Sequence, residues 1–433
     1  MLDKVRPLEY DACDSRDLLA TVEQSEEHRL FALNRVFRKV MDSSPFYQRK
    51  FSAFASWSME TLEDFQELPF TTKEELREGY PLGLQSVPNR DIVRIHSSSG
   101  TTGKPVIIPY TRNDVDHWAK MFARCFAMAG VTPEDRVQIT PGYGLWTAGI
   151  GFQAGVERLG AMAVPMGPGN TDKQLEMMVD LETTVLCSTS SYALLLAEEV
   201  QKRQLREKIK LRVGIMGSER WGEKMRARIE SELGIETYDI YGLTEIYGPG
   251  IGIECRYHQG IHYWTDHLYF EIIDPSTGKV LPDGELGELV ITTLTKEGAP
   301  LIRYRTRDLT RIIPGRCPCG SVFPRIDRIL GRSDDMIKIK GVNIYPGQIE
   351  DVLRETPGAS SEYQVRLSRR DARDHMLVLA EAEPGSDLET VAAKIGQNFK
   401  RKIGIVVDVQ AVPLGTLPRS EKKSKRVYDE RDI

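Results

Sequence analysis

Two groups of residues carry side chains whose types and spacing could do chemistry. The first is the run Ser97-Ser98-Ser99-Gly100-Thr101-Thr102-Gly103-Lys104-Pro105. Hydroxyl residues interleaved with glycines let backbone N–H and side-chain O–H groups converge on an anion. Glycine permits the positive φ values and the close approach this needs. Lys104 could add positive charge. A flexible hydroxyl-rich turn is the plainer alternative. The spacing is not Gly-x-x-x-x-Gly-Lys-Ser/Thr, and Val106-Ile107-Ile108 reads as a strand where that motif has a helix. The second group is Cys255-x-x-His258 with Cys317-Pro318-Cys319. Four Cys and His ligands in two close pairs are the composition of a closed tetrahedral Zn²⁺ site. The pairs lie in polar, turn-like sequence and flank a strand-rich stretch whose two ends they could join. His262 is an alternative ligand, but the two-residue spacing favours His258. Unpaired thiols are the plainer reading. Four protein ligands leave no open position, so the metal's role would be structural.

These groups need a scaffold, and the chain is long enough to supply one. Its 433 residues exceed one ordinary domain. The 40% apolar and 28% charged shares are those of a soluble globular protein. A net charge of −5 offers no strong basic field for nucleic acid or an anionic membrane surface. No stretch approaches the ~20 apolar residues of a membrane span, and residues 1–13 lack the apolar core of a signal peptide. The expected location is the cytoplasm, where the six cysteines should be thiols or metal ligands.

Residues 15–80 read as mostly helical, with Leu30, Leu33, Val36, Phe37 and Val40 on one apolar face. Thr71 or Thr72 could cap a helix beginning at Lys73. From 91 to about 250, short apolar runs at 136–140, 161–164, 184–187 and 213–216 alternate with amphipathic helices, which argues for parallel sheets covered by helices. Between 257 and 313 the character changes: 262–273 and 288–294 are strand-like and separated by turn residues, so a distorted antiparallel β-unit is expected. The polar break Gly331-Arg332-Ser333-Asp334-Asp335 precedes a small α+β unit, with strands at 336–344, 363–367, 375–382 and 406–412 and helices from about 345 and at 388–403. The fold class is α/β: a large N-terminal domain, 1–333, of parallel sheets with helices plus the β-unit, and a small α+β C-terminal domain, 334–433.

The hydroxyl-glycine loop resembles the nucleotide-binding loop of acyl-adenylate-forming enzymes. Further matches follow in order: Tyr241-Gly242-Leu243-Thr244-Glu245, Gly287-Glu288-Leu289, Tyr304-Arg305-Thr306-Arg307-Asp308, and Gly331-Arg332-Ser333-Asp334-Asp335 with Lys340-Gly341. The segments Gly142-Tyr143-Gly144-Leu145-Trp146, Leu301 to Thr310 and Gly341-Val342-Asn343-Ile344-Tyr345-Pro346 look most like the phenylacetate–CoA ligase subgroup. The resemblance covers roughly residues 30–430. It implies that a carboxylic acid attacks the ATP α-phosphate, releasing pyrophosphate, and that the thiol of coenzyme A then displaces AMP. Such a protein aligns and neutralises phosphates and needs no covalent nucleophile.

The resemblance also implies residue roles. Residues 97–104 grip phosphates. Thr244 contacts the α-phosphate, and Glu245 holds Mg²⁺ bridging ATP oxygens, an ordinary environment for that ion. Tyr241, Gly242, Asp239, Gly217, Ser218 and Glu219 belong to the nucleotide pocket, and Asp308 accepts from the ribose hydroxyls. Arg332 contacts the nucleotide beside a hinge at Asp334, about which the C-terminal domain rotates between adenylating and thioester-forming orientations. Lys423 is the mobile catalytic lysine; relatives carry glycine just before it where this chain has Lys422, which leaves Lys422 and Lys425 as alternatives. Many relatives carry lysine at the position of Val106, so Lys104 or Lys423 must supply charge there. Tyr143, Trp146, Thr147 and Ala148 would wall an aryl-acid pocket, or simply form a buried helix start. The expected ligands are ATP, Mg²⁺, coenzyme A and an aryl acid, with a homodimer implied by the subgroup alone. Adenylyl transfer of the coenzyme F390 synthetase type, an adenylation module loading a carrier protein, and a non-catalytic nucleotide binder are the competing readings.

Overall fold

The computed structural model describes residues 25–98, 104–339, 342–370, 373–420 and 425–431. Helix α1 (Glu26–Ser43) starts where Ser25 accepts from His28 N, and it buries Leu33, Val36, Phe37 and Val40 as the periodicity requires. Three short helices follow: α2 (Pro45–Lys50), α3 (Leu62–Gln66) and α4 (Lys73–Glu78). Thr72, not Thr71, caps α4, in a reciprocal capping box with Glu75. Thr71 is buried instead, its hydroxyl donating to Ile302 O at 2.7 Å and its N–H to Arg303 O at 2.9 Å. From residue 25 on the region is a set of helices, as expected, and its apolar face packs against Leu294 and Ile302 of the β-unit.

A hairpin of β1 (Ile92–Ser97) and β2 (Ile107–Thr111) carries the hydroxyl-glycine loop at its tip. Helix α5 (Arg112–Met128) then leads into the expected alternation. It runs β3 (Arg136–Ile139), α6 (Ala148–Leu159), β4 (Met162–Pro165), α7 (Thr171–Asp180), β5 (Val185–Thr189), α8 (Ser190–Lys202), β6 (Val213–Gly217), α9 (Glu223–Leu233) and β7 (Glu236–Leu243). These strands lie side by side as a parallel array in the order β4-β3-β5-β6-β7. Helices α5 and α6 pack closely because α6 presents Gly151 and Gly155 to Phe122; a Cβ there would meet its side chain at 2.5 and 2.4 Å.

The sheet continues antiparallel through β8 (Gly248–Glu254) and β9 (Ile261–Tyr263). The segment 262–273, expected as one strand, breaks after Tyr263. Trp264 is fully buried, its indole N–H donating to Gly250 O at 2.7 Å, and the chain turns there, with His267 N and Leu268 N both donating to Trp264 O. It then enters a second sheet of β10 (Leu268–Ile273), β11 (Gly287–Thr293) and β12 (Tyr304–Thr310). Strands β13 (Ile312–Ile313) and β14 (Arg325–Ile326) return to the edge of the first sheet beside β9, while β15 (Gly331–Arg332) adds to the second beside β12.

The C-terminal part comprises the hairpin of β16 (Ile337–Ile339) and β17 (Val342–Ile344), then α10 (Pro346–Arg354), β18 (Ala359–Arg370), β19 (Arg373–Ala382), α11 (Leu388–Lys402), β20 (Asp408–Pro413) and β21 (Val427–Asp429). The last four strands form one sheet in the order β20-β19-β18-β21. Its apolar core, from Ile337 to Val407, is separate from the large core that ends at Ile326.

Asp114, fully buried near the start of α5, fastens the hairpin region to the second sheet. Its carboxylate accepts from Thr111 N at 3.0 Å, Glu297 N at 2.8 Å and Gly298 N at 2.8 Å. Asp114→Ala strands these buried donors. It is expected to lower unfolding free energy by about 3 kcal/mol, since each unsatisfied buried polar group costs on the order of 1–3 kcal/mol. Urea denaturation monitored by tryptophan fluorescence checks this.

Candidate active site

The site forms where the two sheets of the N-terminal part meet. Strand β7 ends in the Tyr241-Gly242-Leu243-Thr244-Glu245 turn, and β12 carries Asp308. The Tyr241 hydroxyl donates to Asp308 Oδ2 at 2.6 Å, so the two motifs touch directly. Gly242 is needed in this turn: a Cβ would sit 2.0 Å from Gly248 O on the returning strand. Asp308 and Arg332 are cross-strand partners on β12 and β15, with Arg332 Nη1 3.7 Å from Asp308 Oδ1. Burial pushes the Asp308 carboxyl up to about 6, against the opposing pulls of the Tyr241 hydroxyl and Arg332.

Arg332 also pairs with Asp334 through Nε and Nη2, at 2.8 and 2.9 Å, and Asp334 is itself exposed. Behind this cluster the fully buried Glu288 collects Arg305 in a fork, both contacts 2.8 Å, and accepts from Ser333 Oγ at 3.0 Å. One buried carboxylate thus ties the Gly287-Glu288-Leu289 motif to Arg305 on β12 and to Ser333, next to Arg332.

Glu245 is 4% exposed. Its Oε1 makes no hydrogen bond, although Lys73 Nζ approaches to 3.0 Å out of alignment as an ion pair. A buried carboxylate oxygen with unused acceptor capacity, facing the nucleotide motifs, fits a hard cation that shares its remaining ligands with phosphate oxygens. Thr244 Oγ1 lies 3.5 Å from Thr147 Oγ1, which links this turn to the aryl-pocket candidates. Thr147 is buried and immediately precedes α6, Ala148 is its first residue, Tyr143 is partly buried, and Trp146 is exposed. The Tyr143 hydroxyl is buried and makes no hydrogen bond within the described residues.

The hydroxyl-glycine loop is held at its base. Ser97 N donates to Leu145 O at 2.9 Å, beside the aryl-pocket segment. Ser98 N donates to Val106 O at 3.0 Å, and Ser98 Oγ accepts from Val106 N at 2.9 Å. Ser99, Gly100, Thr101, Thr102 and Gly103 lie outside the described residues, as do Lys340, Gly341, Lys422 and Lys423. Lys104 is exposed, with its ammonium 5.3 Å from the centre of the Tyr80 ring. Gly217 ends β6 so close to β7 that a Cβ would lie 2.6 Å from Ile240 O. Ser218 follows in a left-handed conformation, φ 70°. Glu219 accepts from Ser191 N at 2.6 Å and Ser190 Oγ at 3.2 Å, bracing the start of α8. Asp239 lies beside Glu254, Arg226 and Trp221; burial and then the Glu254 charge push its carboxyl up to about 7. Lys425 Nζ sits 5.0 Å from the centre of the Tyr428 ring.

Two lysines were not legible as site residues in the sequence. Lys73 reads only as the start of a helix. Lys296 reads as a loop charge, yet it is buried with its ammonium 4.2 Å from the Tyr110 ring centre and 4.3 Å from that of Tyr247, donating to Ile246 O beside Glu245. Burial pushes it down to about 7. No spacing pattern marks either residue, because each reaches the site only through tertiary packing.

The cysteine constellation assembles with one change. Cys255, His262, Cys317 and Cys319 bring their ligand atoms within 4.8 Å of one another. Cys255 Sγ and Cys317 Sγ are 3.6 Å apart, and Cys319 Sγ is 3.5 Å from His262 Nε2. His262 Nδ1 lies 2.8 Å from Phe323 O, so an N–H there leaves the Nε2 lone pair facing the thiols. Burial holds its imidazole down at about 4, in the neutral form a metal needs. His258 is not part of this group. It closes a tight turn with Cys255, adopts φ 48°, and points the other way, toward Glu254, Arg226 and Glu236. His262 instead lies on β9 in register with Arg325 of β14, the strand that follows the Cys317–Cys319 loop.

With this geometry in hand, the comparisons agree along the chain. The AMP-binding enzyme family matches residues 13–295, and the AMP-binding enzyme C-terminal domain matches 341–431. The phenylacetate-coenzyme A ligase of Pseudomonas putida is 42% identical over 422 residues, covering 95% of both chains. That of Escherichia coli K12 is 42% identical over 426 residues, covering 96% of this chain and 97% of the relative. The crystal structure of 2-hydroxyisobutyryl-CoA ligase in the postadenylation state with R3-HIB-AMP superposes with a TM-score of 0.85 at 28% identity, covering 94% of this chain and 90% of that one. The same ligase with 2-HIB-AMP and CoA in the thioesterification state gives 0.68 at 29% identity, with the same coverage. Among the described residues no helix is long and apolar enough to cross a membrane.

A ribose bound at Asp308 would be held in a pH-dependent way. The ionised carboxylate can accept from both hydroxyls of a diol, whereas the protonated group gives up acceptor capacity to its own O–H, and with its carboxyl near 6 Asp308 protonates as pH falls through that value. Adenosine has no phosphate to titrate. Its affinity is expected to fall severalfold between about pH 7.5 and pH 5, and Asp308→Asn is expected to bind weakly and flatly over that range. Calorimetric titration at several pH values checks both.

Proposed function

This chain belongs to the AMP-binding enzyme family, and we propose that it is an ATP-dependent ligase joining an aryl acid, phenylacetate first, to coenzyme A through an acyl-adenylate. One observation carries this reading: the Tyr241–Asp308 contact, Arg332 and the buried Glu245 carboxylate lie at one seam, in a chain 42% identical over nearly its whole length to phenylacetate-coenzyme A ligases. The coenzyme F390 and carrier-module readings have no comparable support.

The chemistry follows from the residues. Asp308 takes the ribose hydroxyls, and Arg332 shields the charge beside them. The 97–104 loop grips the β- and γ-phosphates. Thr244, 3.5 Å from Thr147, sits between the α-phosphate and the aryl-pocket wall of Tyr143, Trp146, Thr147 and Ala148. The acid's carboxylate oxygen attacks the α-phosphorus, the P–O bond to pyrophosphate breaks, and an acyl–AMP anhydride forms. Mg²⁺, when held by Glu245, neutralises phosphate charge; Lys73 balances that carboxylate in its absence. Lys423 brings positive charge to the crowded α-phosphate. The sulfur of coenzyme A then adds to the acyl carbon, and AMP leaves with the bonding pair. The domains are 1–333 and 334–433, with rotation about Asp334 between the two steps. A cytoplasmic location belongs to the same reading, as does a homodimer, which the subgroup resemblance supports.

AMP release is expected with phenylacetate only when ATP and coenzyme A are both present, and more weakly with alkyl acids. A coupled assay over a panel of aryl and alkyl acids, with and without coenzyme A, measures this. Turnover without coenzyme A, or none with any acid, would overturn the assignment.

We further propose structural zinc at Cys255, His262, Cys317 and Cys319, supported by four clustered ligands and the Phe323 carbonyl behind His262. Protein purified without added metal is expected to carry about one zinc per chain by elemental analysis. Cys317→Ser is expected to lose it, whereas His258→Ala keeps it.

A further inference from the structure

The described contacts joining the C-terminal part to the rest of the chain are largely polar. Arg220 Nε lies 3.1 Å from Glu350 Oε2, Arg328 Nη2 lies 3.5 Å from Asp351 Oδ1, and Lys224 Nζ donates to the carbonyls of Thr356 and Ala359. The apolar core clusters stay on one side or the other: one holds residues from Ile337 onward, and the rest lie before it. Parts joined this way can separate without exposing a core.

One contact differs from these by its place in the chain. Arg419 stands four residues before Lys423. Its side chain is 8% exposed and is gripped by two carboxylates from opposite sides of the interface. Arg419 Nη2 donates to Glu198 Oε1 at 2.8 Å, and Nε approaches the same carboxylate at 3.1 and 3.2 Å. On the C-terminal side, Nη1 and Nη2 donate to Glu381 Oε1 and Oε2 at 3.0 and 2.9 Å. Glu381 is fully buried and also accepts from Leu417 N at 2.8 Å. Glu198 in turn is held by Arg228 Nη2 at 2.8 Å.

We propose that Glu198 is a positioning residue for adenylation: by capturing Arg419 across the interface it holds the approach to Lys423 in the adenylating orientation. The proposal rests on the ligase reading above. Lys423 lies four residues beyond Arg419, a reach of at most about 14 Å at full extension, so fixing Arg419 confines where the lysine can go. The contact is also built to let go. When the C-terminal part rotates, Arg419 keeps Glu381 and Glu198 keeps Arg228, so neither charge is stranded unpaired, the costly outcome for buried ions. The arrangement agrees with the higher TM-score against the postadenylation state, 0.85, than against the thioesterification state, 0.68.

The test separates the two half-reactions in the full-length protein. Adenylation is followed as pyrophosphate release from ATP and phenylacetate without coenzyme A, and thioester formation by adding coenzyme A to supplied phenylacetyl-adenylate. Glu198→Gln is expected to slow the single-turnover rate of adenylation about tenfold, the scale of a lost charge-assisted hydrogen bond, with the ATP and acid concentrations that half-saturate that rate unchanged and thioester formation within about twofold. Glu198→Asp is expected to recover part of the loss. Arg419→Lys, which keeps the charge but not the fork, is the second variant and is expected to show the same split. Unchanged adenylation, or equal loss in both half-reactions, overturns the positioning role. Wild-type protein that does not adenylate phenylacetate overturns the ligase reading instead.

Discussion

The Tyr241 hydroxyl and the Asp308 carboxylate, 2.6 Å apart, join the two sheets of the N-terminal part, and the nucleotide site proposed above is built on that contact. Strand β7 belongs to the mostly parallel sheet and β12 to the antiparallel one. Neither sheet alone holds both the Thr244-Glu245 turn and Asp308. Burying Asp308 at this seam costs free energy, which shows in its raised pKa, and the phenol and Arg332 offset part of it. The same seam draws β15 and the start of the hinge segment alongside, because Arg332 pairs with Asp308 across the strands.

Charge in this protein is arranged to be movable. Arg332 is shared among Asp308, Asp334 and Asp335, Glu245 has Lys73 as a counter-ion, and Arg419 is shared between Glu198 and Glu381. In two of these cases the charge has a second partner in reach. That limits the desolvation cost of leaving an ion alone in a partly buried place. The apolar core of the C-terminal part is likewise its own, sharing no buried residue with the cores before it.

The cysteine cluster lies apart from this traffic. It joins β9, β14 and the loop before β14 at the edge of the large sheet, where strands only two or three residues long have little ladder of their own. A metal there would secure an edge that backbone pairing leaves weak.

Much of this could be read from residue order alone. The alternation of apolar runs and helices yields the parallel array, and the apolar face of α1 follows its period, because both depend on neighbours in sequence. The three cysteines of the four-ligand group are likewise readable, and the two ends of the β-unit that carry them do meet. Local pattern could not decide between His258 and His262. That choice depends on a turn at His258 with positive φ and on β9 pairing with β14. Nor could it foresee that Trp264 ends a strand, that Lys73 and Lys296 reach Glu245 and its neighbours, or that Glu198 meets Arg419. The sequence by itself determined which chemical groups the chain carries and the elements that bear them. Only the tertiary structure decided which of them meet, because burial, register and the seam between two sheets bring together residues that no spacing along the chain relates.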